Sequence, residues 1–223
     1  MSSWWGGSAA RGDAARLEAF SDGVLAIAIT LLILNVHVEP TFKGESLASQ
    51  LGAAWPEIIA YVASFLQIGI MWANHHALFR VVDKVDHVLL LLNLLLLGFV
   101  TFLPLPTQLV AEHTGTDTDA KVAMLVYGLT LAGSAVSFNL IWRYAGRRGL
   151  LADAVSPQFC RDVDIRYLTG LCGYVFAAAL AFVLPWLTLA VTAVLALVFL
   201  LGPSPRAAIA DEELADEQLV EEP

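Results

Sequence analysis

Charged residues are scarce in this chain, and cysteine is nearly absent. Only 15% of the 223 residues are Asp, Glu, Lys or Arg, whereas 58% are hydrophobic. A soluble domain of this length carries more polar surface, so the composition excludes an ordinary soluble enzyme or binding domain. The two cysteines, Cys160 and Cys172, lie in a basic segment and in an apolar run, which argues against a disulfide framework. No internal repeat is visible.

The acidic net charge of -9 is largely local. Seven of the 21 acidic residues lie between Asp211 and Glu222, in a tail that we expect to be solvated and disordered. We therefore predict three parts: a cytoplasmic N-terminus at 1–15, a membrane domain at 16–202, and an acidic cytoplasmic tail at 203–223. The apolar blocks leave no room for a soluble catalytic domain.

The apolar residues fall in blocks long enough to cross a membrane, which takes about 20 residues per helix. The predicted spans are 20–38, 58–79, 87–110 and 122–144. A further apolar stretch, 167–201, is interrupted by Pro185 and Trp186. We predict two short spans there, the fifth ending at Leu184 and the sixth beginning at Leu187, although a re-entrant hairpin is the alternative. Within the third span, Pro104 and Pro106 are expected to end or kink the helix.

Basic residues test this arrangement independently, because cytoplasmic loops are enriched in Lys and Arg. Six spans place ten basic residues on one side of the membrane: Arg11, Arg16, Arg80, Lys84, Arg143, Arg147, Arg148, Arg161, Arg166 and Arg206. The other side receives only Lys43 and Lys121. This distribution predicts that both termini are cytoplasmic.

An acid stands at the start of the first span. Asp22 lies about one turn inside the apolar run, where an unpaired carboxylate costs several kcal/mol. We expect Asp22 to have a partner, with Arg16 a candidate at the same helix end. Glu18, four residues earlier, shares its face. The simpler alternative is that Ser21 and Asp22 only cap the helix.

Further along the same span, apolar residues form a stripe. At 100° per residue Ile27, Leu31 and Leu34 lie on one face with Thr30 beside them. Asp22 lies about 140° from Ile27 and should not share that face. From spacing alone, ordinary packing explains the stripe.

Three segments carry a resemblance to a known family. They are RLEAFSDG at 16–23, WANHHALF at 72–79, and LLN at 91–93 continuing to FLPLP at 102–106. In these positions they resemble the motifs of the transmembrane-protein-175 potassium channel family. The resemblance implies an all-α membrane protein with six transmembrane helices per subunit, assembled as a homotetramer in the plasma membrane and embedded in membrane lipid.

The resemblance also implies roles for individual residues. Potassium ions would pass a hydrophobic constriction formed by the first helices, at Ile27, Thr30, Leu31 and Leu34. An apolar ring gates by dewetting, so selectivity for potassium over sodium should be modest. Behind the pore, the resemblance implies a hydrogen-bonded network that joins the first two spans: Arg16, Ser21, Asp22, Trp72, Asn74, His75 and His76.

The adjacent histidines raise the question of a metal site. His75 and His76 have no Cys or acid at a supporting spacing, so we expect neither a bound metal nor another cofactor. Asn93, in the middle of the third span, is expected to bond a neighbouring helix. Nucleic acid is not an expected partner.

Two other classes of function remain open from the residues. Asp22 and His75 could relay protons in a proton-coupled secondary transporter or a proton-leak pathway, but no inverted repeat supports a transporter. A membrane enzyme or scaffold is the third class, although no nucleophile accompanies the His and Asp residues.

Overall fold

The structure of the chain is a computed structural model. All secondary-structure elements of its described residues are helices. The described residues are 11–38, 40, 42, 44–152 and 155–201. Residues 1–10, Lys43, Arg206 and the predicted tail 203–223 lie outside them. Among the described residues, the only β-type pairing is an isolated bridge between Val82 and Leu151.

The described residues form eight α-helices. They are α1 Arg11–Leu31, continued by a 3-10 turn Leu32–Asn35, then α2 Leu47–Ala53, α3 Trp55–Arg80, α4 His87–Phe102, α5 Pro104–Glu112, α6 Thr118–Arg148, α7 Pro157–Leu180 and α8 Pro185–Leu201. Within the described part of the chain, five segments are long and apolar enough to cross a membrane: Asp13–Asn35, Trp55–Arg80, His87–Glu112, Thr118–Arg148 and Pro157–Leu180. The protein is therefore a multi-pass membrane protein, and α8 is a shorter apolar helix.

Successive spans run antiparallel. Glu18 of α1 meets His76 near the end of α3, while His37, beyond the 3-10 turn, meets Glu57 near the start of α3. In the same way, Trp142 near the end of α6 bonds Asp164 near the start of α7.

The last two helices are antiparallel, as expected for the predicted fifth and sixth spans, although α7 ends at Leu180 and not at Leu184, and α8 begins at Pro185 and not at Leu187. A Cβ on Gly170 would meet the Phe199 ring, and the hydroxyl of Thr188 donates to the carbonyl of Ala177. Helix α8 therefore runs back along α7 from the break that precedes Pro185. It ends at the level of the first half of α7, so both ends of the described chain lie at one end of the bundle.

That end of the bundle also carries most of the basic residues. This end comprises the ends of α3, α6 and α8 and the starts of α1, α4 and α7. Eight of the ten predicted cytoplasmic basic residues lie here: Arg16, Arg80, Lys84, Arg143, Arg147, Arg148, Arg161 and Arg166. Lys121, at the start of α6, lies at the opposite end.

The helices extend beyond the predicted spans. Helix α1 begins at Arg11 and not at residue 20, and α7 begins at Pro157 and not at residue 167. The hydroxyl of Ser156 caps α7 by accepting from the backbone N–H of Phe159, at 3.2 Å. Hydropathy identifies the part of a helix that suits lipid, whereas caps and helix propensity decide where the helix starts.

The third predicted span contains a break. Helix α4 ends at Phe102 and α5 begins at Pro104, with Leu103 between them. Proline lacks the N–H that would continue the α4 hydrogen bonds, and its fixed φ suits the first position of a new helix. The predicted effect of Pro104 is confirmed, and both helices together form one membrane segment.

Helices α6 and α7 pack so closely at Gly128 that no side chain fits between them. A Cβ built on Gly128 would lie 2.8 Å from Cα of Ala178. Gly128→Ala should therefore lower the free energy of unfolding by about 1–2 kcal/mol, because the backbones must separate. Thermal unfolding in detergent measures the loss.

Gly98→Ala on α4 is the matched control. No described atom outside its own helix turn lies within 4 Å of a Cβ at that position. We expect Gly98→Ala to leave stability unchanged or slightly raised. Equal melting temperatures for the two variants would contradict the close approach of α6 and α7.

Candidate pore helix and its supporting network

Helix α1 presents two different faces. Its buried side chains recur every three or four residues, which is the spacing of one helix face. They are Ala14, Leu17, Ser21, Leu25, Ala28 and, in the 3-10 turn, Leu32. This face packs against α3 and α4.

The predicted stripe lies away from that buried face. Ile27 is 61% exposed, Leu31 43% and Leu34 66%. Thr30 is exposed beside them, and its hydroxyl donates to the carbonyl of Ile27 at 2.8 Å. Bonding back to the helix satisfies the hydroxyl proton and leaves the oxygen lone pairs facing outward. The structure thus brings all four predicted constriction residues together on one open face.

A chain of hydrogen bonds holds α1 to α3 and α4. His75 Nε2 lies 2.9 Å from Asn93 Oδ1, and the Asn93 amide nitrogen donates to the Ser21 hydroxyl at 2.9 Å. Ser21 in turn donates to the carbonyl of Leu17 at 2.9 Å. Because the amide oxygen can only accept, His75 must carry its proton on Nε2. All three side chains are fully buried.

Two further contacts join α1 and α3 beside this chain. The indole N–H of Trp72 donates to Asp22 Oδ1 at 3.0 Å, and His76 Nδ1 lies 2.7 Å from Glu18 Oε1. The rings of Trp72 and His76 stack, with centroids 6.1 Å apart. Since Glu18 and Asp22 are one turn apart, as are Trp72 and His76, the two helices engage at two consecutive turns.

The opposite end of α1 is also held. Asn35 donates its amide to the carbonyl of Pro104 at 2.7 Å, across the break between α4 and α5. The backbone N–H of His37 donates to the carboxylate of Glu57 at the start of α3. The exposed stripe therefore lies on a helix that is fixed at both ends.

Comparison with known proteins identifies the chain. The sequence profile of the family described as "Endosomal/lysosomal potassium channel TMEM175" matches residues 16–104. The potassium channel B446_29190 of Streptomyces collinus is 45% identical over 188 residues, which cover 84% of this chain and 91% of that protein. The chain belongs to the TMEM175 family.

A solved structure and an animal relative extend the comparison. The crystal structure of a lysosomal potassium-selective channel TMEM175 homolog from Chamaesiphon minutus matches 85% of this chain and 97% of its own, with a TM-score of 0.75 and 37% identity. The endosomal/lysosomal proton channel TMEM175 of Mus musculus is 46% identical over 102 residues, which are 42% of this chain but only 20% of that protein.

The part of the chain that matches the TMEM175 profile contains all the side chains that bond α1, α3 and α4 to one another at one end of α1. This set, the three-helix network, consists of Glu18, Ser21, Asp22, Trp72, His75, His76 and Asn93. Residues 16–104 run from α1 to the first residue of α5. The stripe on α1, the α3 partners of α1 and Asn93 all fall within it. Helices α6 to α8 lie outside the matched range and form the support on which α3 and α4 pack.

Two members of the predicted network lie elsewhere. Arg16 does not pair with Asp22: its guanidinium is 4.0 Å from Asp13, and its side chain is 87% exposed. Asp22 is six positions after Arg16, which places the two side chains about 120° apart around α1. Asn74 lies 3.5 Å from Arg166 of α7 and does not join the bonds to α1. Ser21, Asp22, Trp72, His75 and His76 do join α1 to its neighbours.

Two residues of the network were not among its predicted members. Glu18 shares the Asp22 face, and this spacing was the signal for its contact with α3. Asn93 was expected to bond a neighbouring helix, and this is confirmed, but its position between Ser21 and His75 depends on the packing of three helices. Within the described ranges, no group of three or more His, Cys, Asp or Glu could hold a metal ion.

Proposed function

We propose that this chain forms a homotetrameric potassium channel whose pore is lined by α1 of each subunit. One observation carries the proposal: the stripe of Ile27, Thr30, Leu31 and Leu34 is exposed on the side of α1 that faces away from its own bundle. In a family whose bacterial relatives are named potassium channels, four such stripes around an axis would enclose a path. One helix cannot do so alone.

The chemistry of the stripe suits a gate with modest selectivity. Branched apolar side chains offer no oxygen ligands, so a ring of them opposes a hydrated ion and conducts only when wetted. Potassium loses part of its hydration at lower cost than the smaller sodium ion. Thr30 would supply one hydroxyl oxygen per subunit, and the chain needs no resident cofactor for this task.

We further propose that the channel lies in the plasma membrane with both termini in the cytoplasm. This orientation is supported by the eight basic residues that lie at one end of the bundle, the end at which the described chain begins and ends. Lys and Arg residues are retained on the cytoplasmic side of a membrane. The fixed ends of α1 would keep the four stripes in register around the axis.

Flux measurements test the function directly. Purified protein in liposomes loaded with potassium, with a protonophore present to carry the balancing charge, is expected to release potassium down its gradient without an imposed gradient of a second solute. Potassium flux should exceed sodium flux by a modest factor, about tenfold or less, because no rigid cage of oxygen ligands surrounds the ion. Potassium release that requires a proton or sodium gradient would contradict a passive channel.

Proton conduction is the second candidate, and the name of the mouse relative as a proton channel favours considering it. Asp22 and His75 would serve as relay groups in a proton-coupled transporter or leak. A pH-sensitive dye inside the same liposomes, without the protonophore, separates the two. All liposomes, empty ones included, contain valinomycin and equal potassium on both sides, so that potassium carries the balancing charge. With an acidic outside, a proton channel then acidifies the lumen quickly, whereas a potassium channel does so no faster than empty liposomes.

A further inference from the structure

An open groove lies between α6 and α7 at the basic end of the bundle. Its volume is about 390 Å³. The lining residues are Trp142, Arg143, Gly146, Arg147, Leu151, Cys160, Asp164, Ile165 and Leu168. None of these residues belongs to the helix that carries the stripe or to the three-helix network.

The groove is positive on one wall. Arg143 and Arg147 are four residues apart on α6, so their guanidinium groups share one face and both are exposed. Asp164 is the one acid among the described lining residues, and its Oδ1 accepts from the indole N–H of Trp142 at 3.0 Å. The lining therefore carries two positive charges and one negative charge, and the negative carboxylate is already hydrogen bonded.

The other wall of the groove is apolar. Ile165 and Leu168 of α7 are both exposed and lie on the side of Asp164 that leads into the membrane-spanning part of the helix. A molecule that filled the groove would therefore contact the guanidinium groups on the α6 wall and apolar side chains on the α7 wall. Trp142 is buried between the two helices, where its indole N–H is already bonded to Asp164.

Gly146 keeps the space open. A Cβ at Gly146 would have only the Leu151 Cδ1 atom, at 3.9 Å, among the described atoms within 4 Å outside its own helix turn. A side chain would be tolerated there by the packing but would project into the groove. Glycine in this part of α6 is thus not required for close helix contact, as it is at Gly128.

We propose that this groove binds an anionic phospholipid, with Arg143 and Arg147 holding the headgroup phosphate and Ile165 and Leu168 contacting the acyl chains. Basic pockets between transmembrane helices at the cytoplasmic side suit such headgroups. Guanidinium groups bind phosphate oxygens through paired hydrogen bonds. The apolar wall distinguishes a lipid from a free phosphate ion, which would gain nothing from it.

Native mass spectrometry of the full chain in detergent measures the proposed binding. The probes are dioleoylphosphatidylglycerol, dioleoylphosphatidylcholine and inorganic phosphate, each titrated separately. We expect tighter binding of phosphatidylglycerol than of phosphatidylcholine. Arg143→Gln with Arg147→Gln should weaken phosphatidylglycerol binding by about thirtyfold, the effect of two interfacial arginines.

Two further variants separate the groove from general surface charge. Arg80→Gln with Lys84→Gln removes two exposed charges at the same end of the bundle and should change the affinity by less than about threefold. Gly146→Leu keeps both arginines but fills the groove, and it should weaken binding by at least about tenfold. If the glutamine pair fails to fold, Arg143→Lys with Arg147→Lys should bind at an intermediate affinity.

Several outcomes would overturn the proposal. Equal losses in the two double variants would mean that only net charge attracts the lipid, and unchanged binding by Gly146→Leu would place the lipid elsewhere. Inorganic phosphate that displaces phosphatidylglycerol at equal concentration would make the groove a free-anion site. If the lipid binds only to a full-length variant whose 203–223 acids are changed to Asn or Gln, that segment occupies the groove instead.

Discussion

Replacing Ile27 or Leu31 with asparagine is expected to raise potassium flux by about tenfold and to lower the preference for potassium over sodium. In the proposed tetramer, four amides around the axis would supply oxygen and nitrogen dipoles at a ring of otherwise apolar side chains. A tenfold rise corresponds to about 1.4 kcal/mol removed from the barrier. Both side chains are exposed on the same face of α1, so the two substitutions would reach adjacent levels of the proposed path.

Flux in potassium- and sodium-loaded liposomes measures both effects. Val175→Asn is the matched control, because Val175 is an exposed apolar residue of α7, which packs against α6 and α8. It makes the same chemical change in the bilayer without touching the stripe and should leave flux unchanged. If Ile27→Asn and Leu31→Asn both behave like Val175→Asn, the stripe faces lipid and α1 does not line the pore.

The largest loss of stability is expected for Asn93→Leu. This change removes the acceptor of His75 Nε2 and the donor to Ser21 together. Among the described atoms, Nδ1 of His75 has no hydrogen-bond partner already, so the substitution would leave the whole buried imidazole unsatisfied. We expect a loss of about 2–3 kcal/mol in the free energy of unfolding, measured by thermal unfolding in detergent.

Two comparisons define the origin of that loss. Thr101→Val, on the same helix, removes an exposed hydroxyl that bonds only its own backbone, and it should change stability by less than about 0.5 kcal/mol. Ser21→Ala should cost less than Asn93→Leu, since the bond between Asn93 and His75 remains. A loss for Asn93→Leu no larger than for Thr101→Val would show that the three-helix network contributes nothing to stability.

Local features of the sequence predicted much of the fold. Apolar blocks of about 20 residues located the five long membrane segments, and the break before Pro185 located the hairpin of α7 and α8. The spacing of Ile27, Leu31 and Leu34 placed them on one face. These properties depend on composition and on the helical period, which act within a single helix.

Local features did not predict where the helices start, or which side chains meet. The amphipathic start of α7 is too polar for a hydropathy window, yet it is helical because Ser156 caps it. Arg16 was the nearest opposite charge to Asp22 along the chain, but it lies about 120° away around α1. The partner of Asp22 is Trp72, fifty residues later, because α3 runs antiparallel beside α1.

The sequence by itself determined that this is a helical membrane protein, that successive spans run in opposite directions, and which face of the first span is apolar. Only the tertiary structure decided that this face is left open while the opposite face is buried, that Asn93 connects Ser21 to His75, and that Arg143 and Arg147 border a groove. The physical reason is that hydropathy and helical period are properties of each segment. A hydrogen bond or a groove depends on the rotation and depth of one helix relative to another, which many side chains set together.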